Sequence, residues 1–188
     1  MTVDAPVMLG VIVAVLVLAA AAWFMWHTHN RQQLKQHFGP EYDRVVREYG
    51  SESKAESALA KRTERAHKYK IRPLSERERG EFQSSWQSTQ ARFVDDPRAA
   101  VKEADRLVCR LMETRGYPMT DFDRRTEDLS VDHPHVVQNY RTAHGIAQAD
   151  AQGKASTEDL RRAVVCYRAL FADLLETQPT TTGREVHA

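Results

Sequence analysis

The densest run of chemistry-bearing residues is Asp132-His133-Pro134-His135, followed by Tyr140 and His144. Imidazole and carboxylate groups together bind Zn²⁺ or Fe²⁺, and a histidine with a tyrosine and an acid can do acid–base work. The spacing argues against a metal. Helical ligand pairs usually lie three or four residues apart, whereas His135 and His144 are nine apart. The plainer reading is a helix start, with Asp132 as N-cap and Pro134 in the first turn. His144 then sits at the edge of a Val137/Tyr140 face as a packed, hydrogen-bonded histidine. No catalytic, cofactor-binding or metal site is expected, and no cofactor.

The two cysteines, Cys109 and Cys166, match neither a metal nor a redox spacing. Cys109 is expected to project opposite the apolar stripe of its helix, and Cys166 to flank the edge of its own. Neither stands beside a helix N-terminus, which would lower a thiol's pKa. The chain contains no G-x-S-x-G elbow, Walker loop or G-x-G-x-x-G turn, which disfavours nucleotide hydrolysis and dinucleotide binding.

A different chemistry is written in the basic segment. Residues 31–79 hold 13 Lys/Arg against 8 Asp/Glu, and residues 80–176 hold 13 against 16. On a helix running from about Ser53 to Tyr69, Lys54, Lys61, Arg65 and Lys68 form one stripe. They are the candidates for contact with anionic lipid headgroups, whose attraction is about 1 kcal/mol per basic residue. The plainer reading is an ordinary solvated face with pairs such as Glu64–Lys68. Nucleic acid is disfavoured, because no aromatic interleaving or base-reading motif accompanies the charge.

These residues must be positioned by helices, because no stretch alternates polar and apolar long enough to make a strand. Gly39-Pro40 breaks one helix and starts another, and Gly50 ends that one. Ser75 and Glu78 make a capping box before a helix carrying Phe82, Trp86 and Phe93. Asp96-Pro97 opens a helix whose stripe runs from Ala100 to Met112, ended by Gly116 and Pro118. A short helix is expected over 120–129, and another after Asp132. The last is capped by Ser156 or Thr157 and striped with Leu160, Ala163, Tyr167, Phe171 and Leu174.

The N-terminal stretch obeys another solvent. Val7 to Trp26 reads VMLGVIVAVLVLAAAAWFMW, 20 residues without a charge. At about 1.5 Å per residue they span roughly 30 Å, the thickness of a bilayer's hydrocarbon. No Lys or Arg precedes this segment, whereas Arg31, Lys35, Arg44 and Arg47 follow it. The positive-inside rule then puts the N-terminus outside and the rest in the cytoplasm, at the inner (plasma) membrane. Secretion after signal cleavage is the alternative, since Ala19–Ala22 mimics a cleavage site. The missing basic n-region and the continuation through Trp23-Phe24-Met25-Trp26 oppose it.

The string QARFVDDPRAAVKEADRL, with RGYP, SVDHP, YRTAH and STEDLRRA, resembles an uncharacterised family of bacterial single-pass membrane proteins with a C-terminal helical domain. The resemblance covers roughly residues 35–175. It implies a membrane helix followed by a helical domain, and it carries no activity, cofactor or site residue.

The expected architecture is all-α: a short tail (1–6), a transmembrane helix (7–26), a basic juxtamembrane region (27–74), a bundle core (75–176) and a disordered tail (177–188). The bundle should hold five or six helices. The expected function is a membrane-anchored, non-catalytic interaction or scaffold module, partnered by the bilayer and an unknown protein. The alternatives are a tethered enzyme using Asp132, His135, Tyr140 and His144, or a membrane-linked nucleic-acid binder.

Overall fold

The computed structural model describes residues 5–176, with the side chains of 14–19, 21, 22, 24, 25 and 28–176. Among them the chain is all-α: α1 (Ala5–Phe38), α2 (Pro40–Tyr49), α3 (Glu52–Ala66), α4 (Glu76–Arg92), α5 (Pro97–Arg115), α6 (Phe122–Asp132), α7 (Val137–Ala151) and α8 (Thr157–Glu176). The expected disordered tail lies outside the described residues.

The chain divides into two compact units, residues 1–56 and 57–188. The division falls inside α3. In the first unit, α1 is one uninterrupted helix of 34 residues. Among the described residues, no helix is long and apolar enough to cross a membrane. Within the expected span Val7–Trp26, the side chains of residues 7–13, 20, 23 and 26 are outside the described ones. The described apolar side chains on it stand open: Val15, Leu16, Val17, Leu18, Phe24 and Met25 are 57–69% exposed. Gly39 ends α1 with a φ of 48°, a conformation that costs glycine no Cβ clash. Pro40 then occupies the first turn of α2, where its missing N–H is not needed.

The second unit comprises the later part of α3 and α4–α8, in keeping with a bundle of five or six helices. Its start signals act as their chemistry dictates. The Ser75 hydroxyl accepts from Glu78 N while the Glu78 carboxylate accepts from Ser75 N, the reciprocal capping box. The Asp96 carboxylate accepts from Ala99 N at 2.9 Å ahead of Pro97. Ser156 and Asp159 repeat the reciprocal pattern before α8. Gly116 is needed twice over. Its φ is 97°, and a Cβ there would stand 2.6 Å from the Lys70 carbonyl oxygen.

One expected start is not made. Asp132 does not cap the helix after it but is the last residue of α6, and α7 begins at Val137 with no side-chain cap. Leu129, Ser130 and Val131 are buried and carry α6 that far. Pro134 then ends it, because a proline forces the preceding residue out of the helical region; His133 sits at φ −129°, ψ 50°.

Helix α8 packs against both α5 and α7, α4 packs on α5, and α6 on α7. The core is the buried stripe of α8 (Tyr167, Leu170, Phe171, Leu174) meeting Leu107 and Leu111 of α5 and Tyr140 of α7. Trp86 of α4 is 6% exposed and stacks on Phe171, ring centroids 4.7 Å apart and planes 20° apart. Removing so large a buried aromatic leaves a cavity that the neighbours fill only in part. Trp86→Ala is expected to cost about 3–5 kcal/mol of unfolding free energy. Urea denaturation checks this, and an unchanged midpoint would contradict the packing.

Candidate functional site

Three polar clusters lie in the second unit, and each ties helices together. The first grows from the end of α6. His133 is 3% exposed. Its Nε2 is 3.0 Å from the Tyr117 hydroxyl, and its Nδ1 contacts the Asp173 carboxylate on α8. The Tyr117 hydroxyl donates to Asp132 Oδ2 at 2.9 Å. Asp173, His133, Tyr117 and Asp132 thus form one continuous series of polar contacts. Beside it lies Arg115, 1% exposed, whose Nη1 donates to the Leu174 carbonyl at 2.8 Å. Arg79 donates to the Leu175 carbonyl. Both carbonyls lie near Glu176, the last described residue of α8. Burial lowers the Arg115 pKa; Tyr117, Asp132 and Asp173 work in the opposite direction.

The second cluster surrounds Cys109. Arg125 Nη1 donates to Cys109 Sγ at 2.9 Å and to the Tyr140 hydroxyl at 3.2 Å. Its Nη2 donates to the Thr120 carbonyl at 3.2 Å. Cys109 is therefore not opposite the packed side of α5 as expected: it is half-buried, because α6 brings Arg125 over it. His144 stacks on Phe122, centroids 3.7 Å and planes 11° apart, with Gln148 Nε2 3.1 Å from its Nε2. Burial lowers the His144 pKa. Nearby, the Tyr167 hydroxyl donates to Asp105 Oδ1 at 2.8 Å. Burial raises the Cys109 thiol, with Asp105 adding to it, and burial raises Cys166 also. Both shifts run opposite to what an activated nucleophile requires.

The third cluster joins α3 to α6. Arg65 Nε donates to Asp128 Oδ1 at 2.6 Å, and its Nη2 to Glu127 Oε2 at 2.8 Å. The Tyr69 hydroxyl donates to Asp128 Oδ2 at 2.8 Å. Asp128 is 1% exposed. Arg65 thus turns inward, away from the basic stripe it was expected to join. Lys54, Lys61 and Lys68 are exposed, and Lys68 pairs with Glu64 at 3.1 Å.

The four residues of the alternative enzyme reading are not gathered. Tyr140 and His144 belong to the Cys109 cluster through ring contacts with Phe122. Asp132 belongs to the His133 cluster, and His135 is exposed. Among the described residues, no group of three or more His, Cys, Asp or Glu is placed to hold a metal ion. The sequence reading missed Tyr117, Arg115, Arg125, Asp105, Asp128 and Asp173. They carry no spacing signal, because their partners lie 15–63 positions away. The weak hint was that each is a polar residue on or beside an otherwise apolar stripe. Against protein-family models, curated proteins and solved structures, the chain shows no match.

Burial, the first cause in each case, raises the phenols of Tyr117, Tyr140 and Tyr167, and nearby Asp132, Cys109 and Asp105 add to it. A folded pKa above the unfolded value of about 10 means stability is intact below pH ~10 and falls above it, as the unfolded chain ionises first. Each such tyrosine removes about 1.4 kcal/mol per pH unit above that point. Followed by phenolate absorbance and circular dichroism together, these three tyrosines are expected to ionise only as helicity is lost. Ionisation of all the tyrosines with the helices intact would contradict the burial.

Proposed function

We propose that this chain is a membrane-anchored, non-catalytic interaction module. The observation that carries the reading is the open apolar surface of α1. Leaving a large apolar side chain in water instead of burying it costs about 1.5–3 kcal/mol. A run of such residues on a single long helix therefore favours lipid as its solvent. The helix continues past Trp26 into a polar stretch containing Arg31 and Lys35, the arrangement expected where a span leaves the bilayer on the cytoplasmic side. The resemblance to an uncharacterised bacterial membrane family agrees with this layout and adds no activity.

The non-catalytic part of the reading is supported by the polar clusters. Their reactive side chains are engaged in bridges between helices, and the thiol shifts run the wrong way for attack. The depressions along α5, of about 420 and 330 Å³, are lined by mixed charges and hydroxyls, including Asp105, Arg106, Arg110 and Ser88. Such mixed, solvated surfaces suit protein contact better than small-molecule capture, which favours enclosed apolar pockets. Anionic headgroups remain second partners for the exposed Lys54, Lys61 and Lys68, without Arg65.

Fractionation of cells making the full chain tests the anchor. The protein is expected to stay with membranes through alkaline carbonate, at its full mass, and a C-terminal phosphatase fusion should be inactive. Release by carbonate would overturn the anchor. A mass lacking the first 22 or so residues would establish the secreted alternative, and an active fusion would reverse the orientation.

A further inference from the structure

The first unit carries a charge cluster that the proposed function does not use. Arg31, in the polar part of α1, donates through Nε to Glu56 Oε1 at 2.7 Å and through Nη2 to Glu52. The Tyr42 hydroxyl of α2 donates to the same Glu56 oxygen at 3.0 Å. Lys35 Nζ lies 3.7 Å from Glu52 Oε1 and 5.2 Å from the Tyr42 ring centroid. Three consecutive helices thus meet at two cations, two carboxylates and one phenol. Tyr42 is 2% exposed, and burial with the Glu56 hydrogen bond pushes its pKa up to about 12. Phe38, Val45 and Ala55 are fully buried.

The position of this cluster gives it meaning. Gly39 breaks the chain between α1 and α2 and would otherwise be a hinge. Arg31 lies five residues, about 7.5 Å along the axis, beyond Trp26. Isolated surface ion pairs contribute little, but this network shares acceptors across three helices. We propose that Arg31, Glu52, Glu56 and Tyr42 form a clamp that makes residues 27–38 a rigid stem. Helix α2 and the first turn of α3 then move with the membrane helix instead of hanging from it by a tether. The proposal rests on the anchor reading.

Spin labels at Asn30 and Ser53 report on the clamp in the full chain, with Cys109 and Cys166 replaced by alanine, in nanodiscs of phosphatidylcholine and phosphatidylglycerol. A single narrow distance distribution is expected. The Glu52→Gln/Glu56→Gln variant should broaden it at least twofold with helicity unchanged, and Arg31→Lys should broaden it less than Arg31→Gln. A broad distribution in the unsubstituted clamp, or the same narrow one in every variant, overturns the clamp. Carbonate extraction of the same protein separates the two ideas. A chain that leaves the membrane with its narrow distribution intact defeats the anchor, and the stem's role with it; a broad distribution in a chain that stays defeats the clamp alone.

Discussion

Helix α8 has to bury a stripe of large side chains along nearly its whole length, and the second unit is built around that requirement. Leu160, Tyr167, Leu170, Phe171 and Leu174 leave no polar residue between them on that face. Fully burying side chains of this size is worth about 1.5–3 kcal/mol each. The stripes of α5 and α7 cover this face from two sides, and Trp86 of α4 stacks over Phe171. Once that contact exists, every polar group drawn inside with it must find a partner, because an unpaired buried donor or acceptor costs about 1–3 kcal/mol.

That second constraint accounts for the side chains that look like chemistry. Tyr167 is pulled in by its ring, and its hydroxyl is met by Asp105. Arg115 and Arg79 donate to the Leu174 and Leu175 carbonyls of α8. His133 is buried where α6 ends, and Tyr117 and Asp173 occupy its two nitrogens. Arg65 is drawn from the surface by Asp128. The pairs of Tyr167 and His133 link elements that the apolar core has already brought close. Such pairs tie particular helices to one another, and removing one partner leaves the other buried and unpaired.

This division explains what was legible in the amino-acid sequence. Capping signals are local, so Ser75–Glu78, Asp96-Pro97 and Gly116 could be read directly. The apolar stripes have the helical period, so Trp86 and Phe171 could each be placed on a stripe, whereas their stacking on one another is a tertiary finding. Asp132 misled because an aspartate with a proline two residues on also begins helices; the burial of Leu129 and Val131, a tertiary effect, carried α6 through it. Arg65 misled because a helical wheel shows a stripe of like charge but not the acids on another helix that claim one member. The bridges of Tyr117, Arg125 and Asp105 were not legible, since nothing in a linear spacing records a partner 15 or more positions away. That residues 7–26 form part of one continuous helix, α1, was legible in their unbroken run without a helix breaker.

The central claim is that the polar residues of the second unit are bridges rather than a reactive site, and the Tyr167–Asp105 pair tests it most directly. A double-mutant cycle with Tyr167→Phe and Asp105→Ala, followed by urea unfolding, measures their coupling. Residues that share a partly buried hydrogen bond are expected to couple by about 0.5–3 kcal/mol. Costs that simply add, to within a few tenths of a kcal/mol, would mean that the pair does not hold the helices together and would contradict the account.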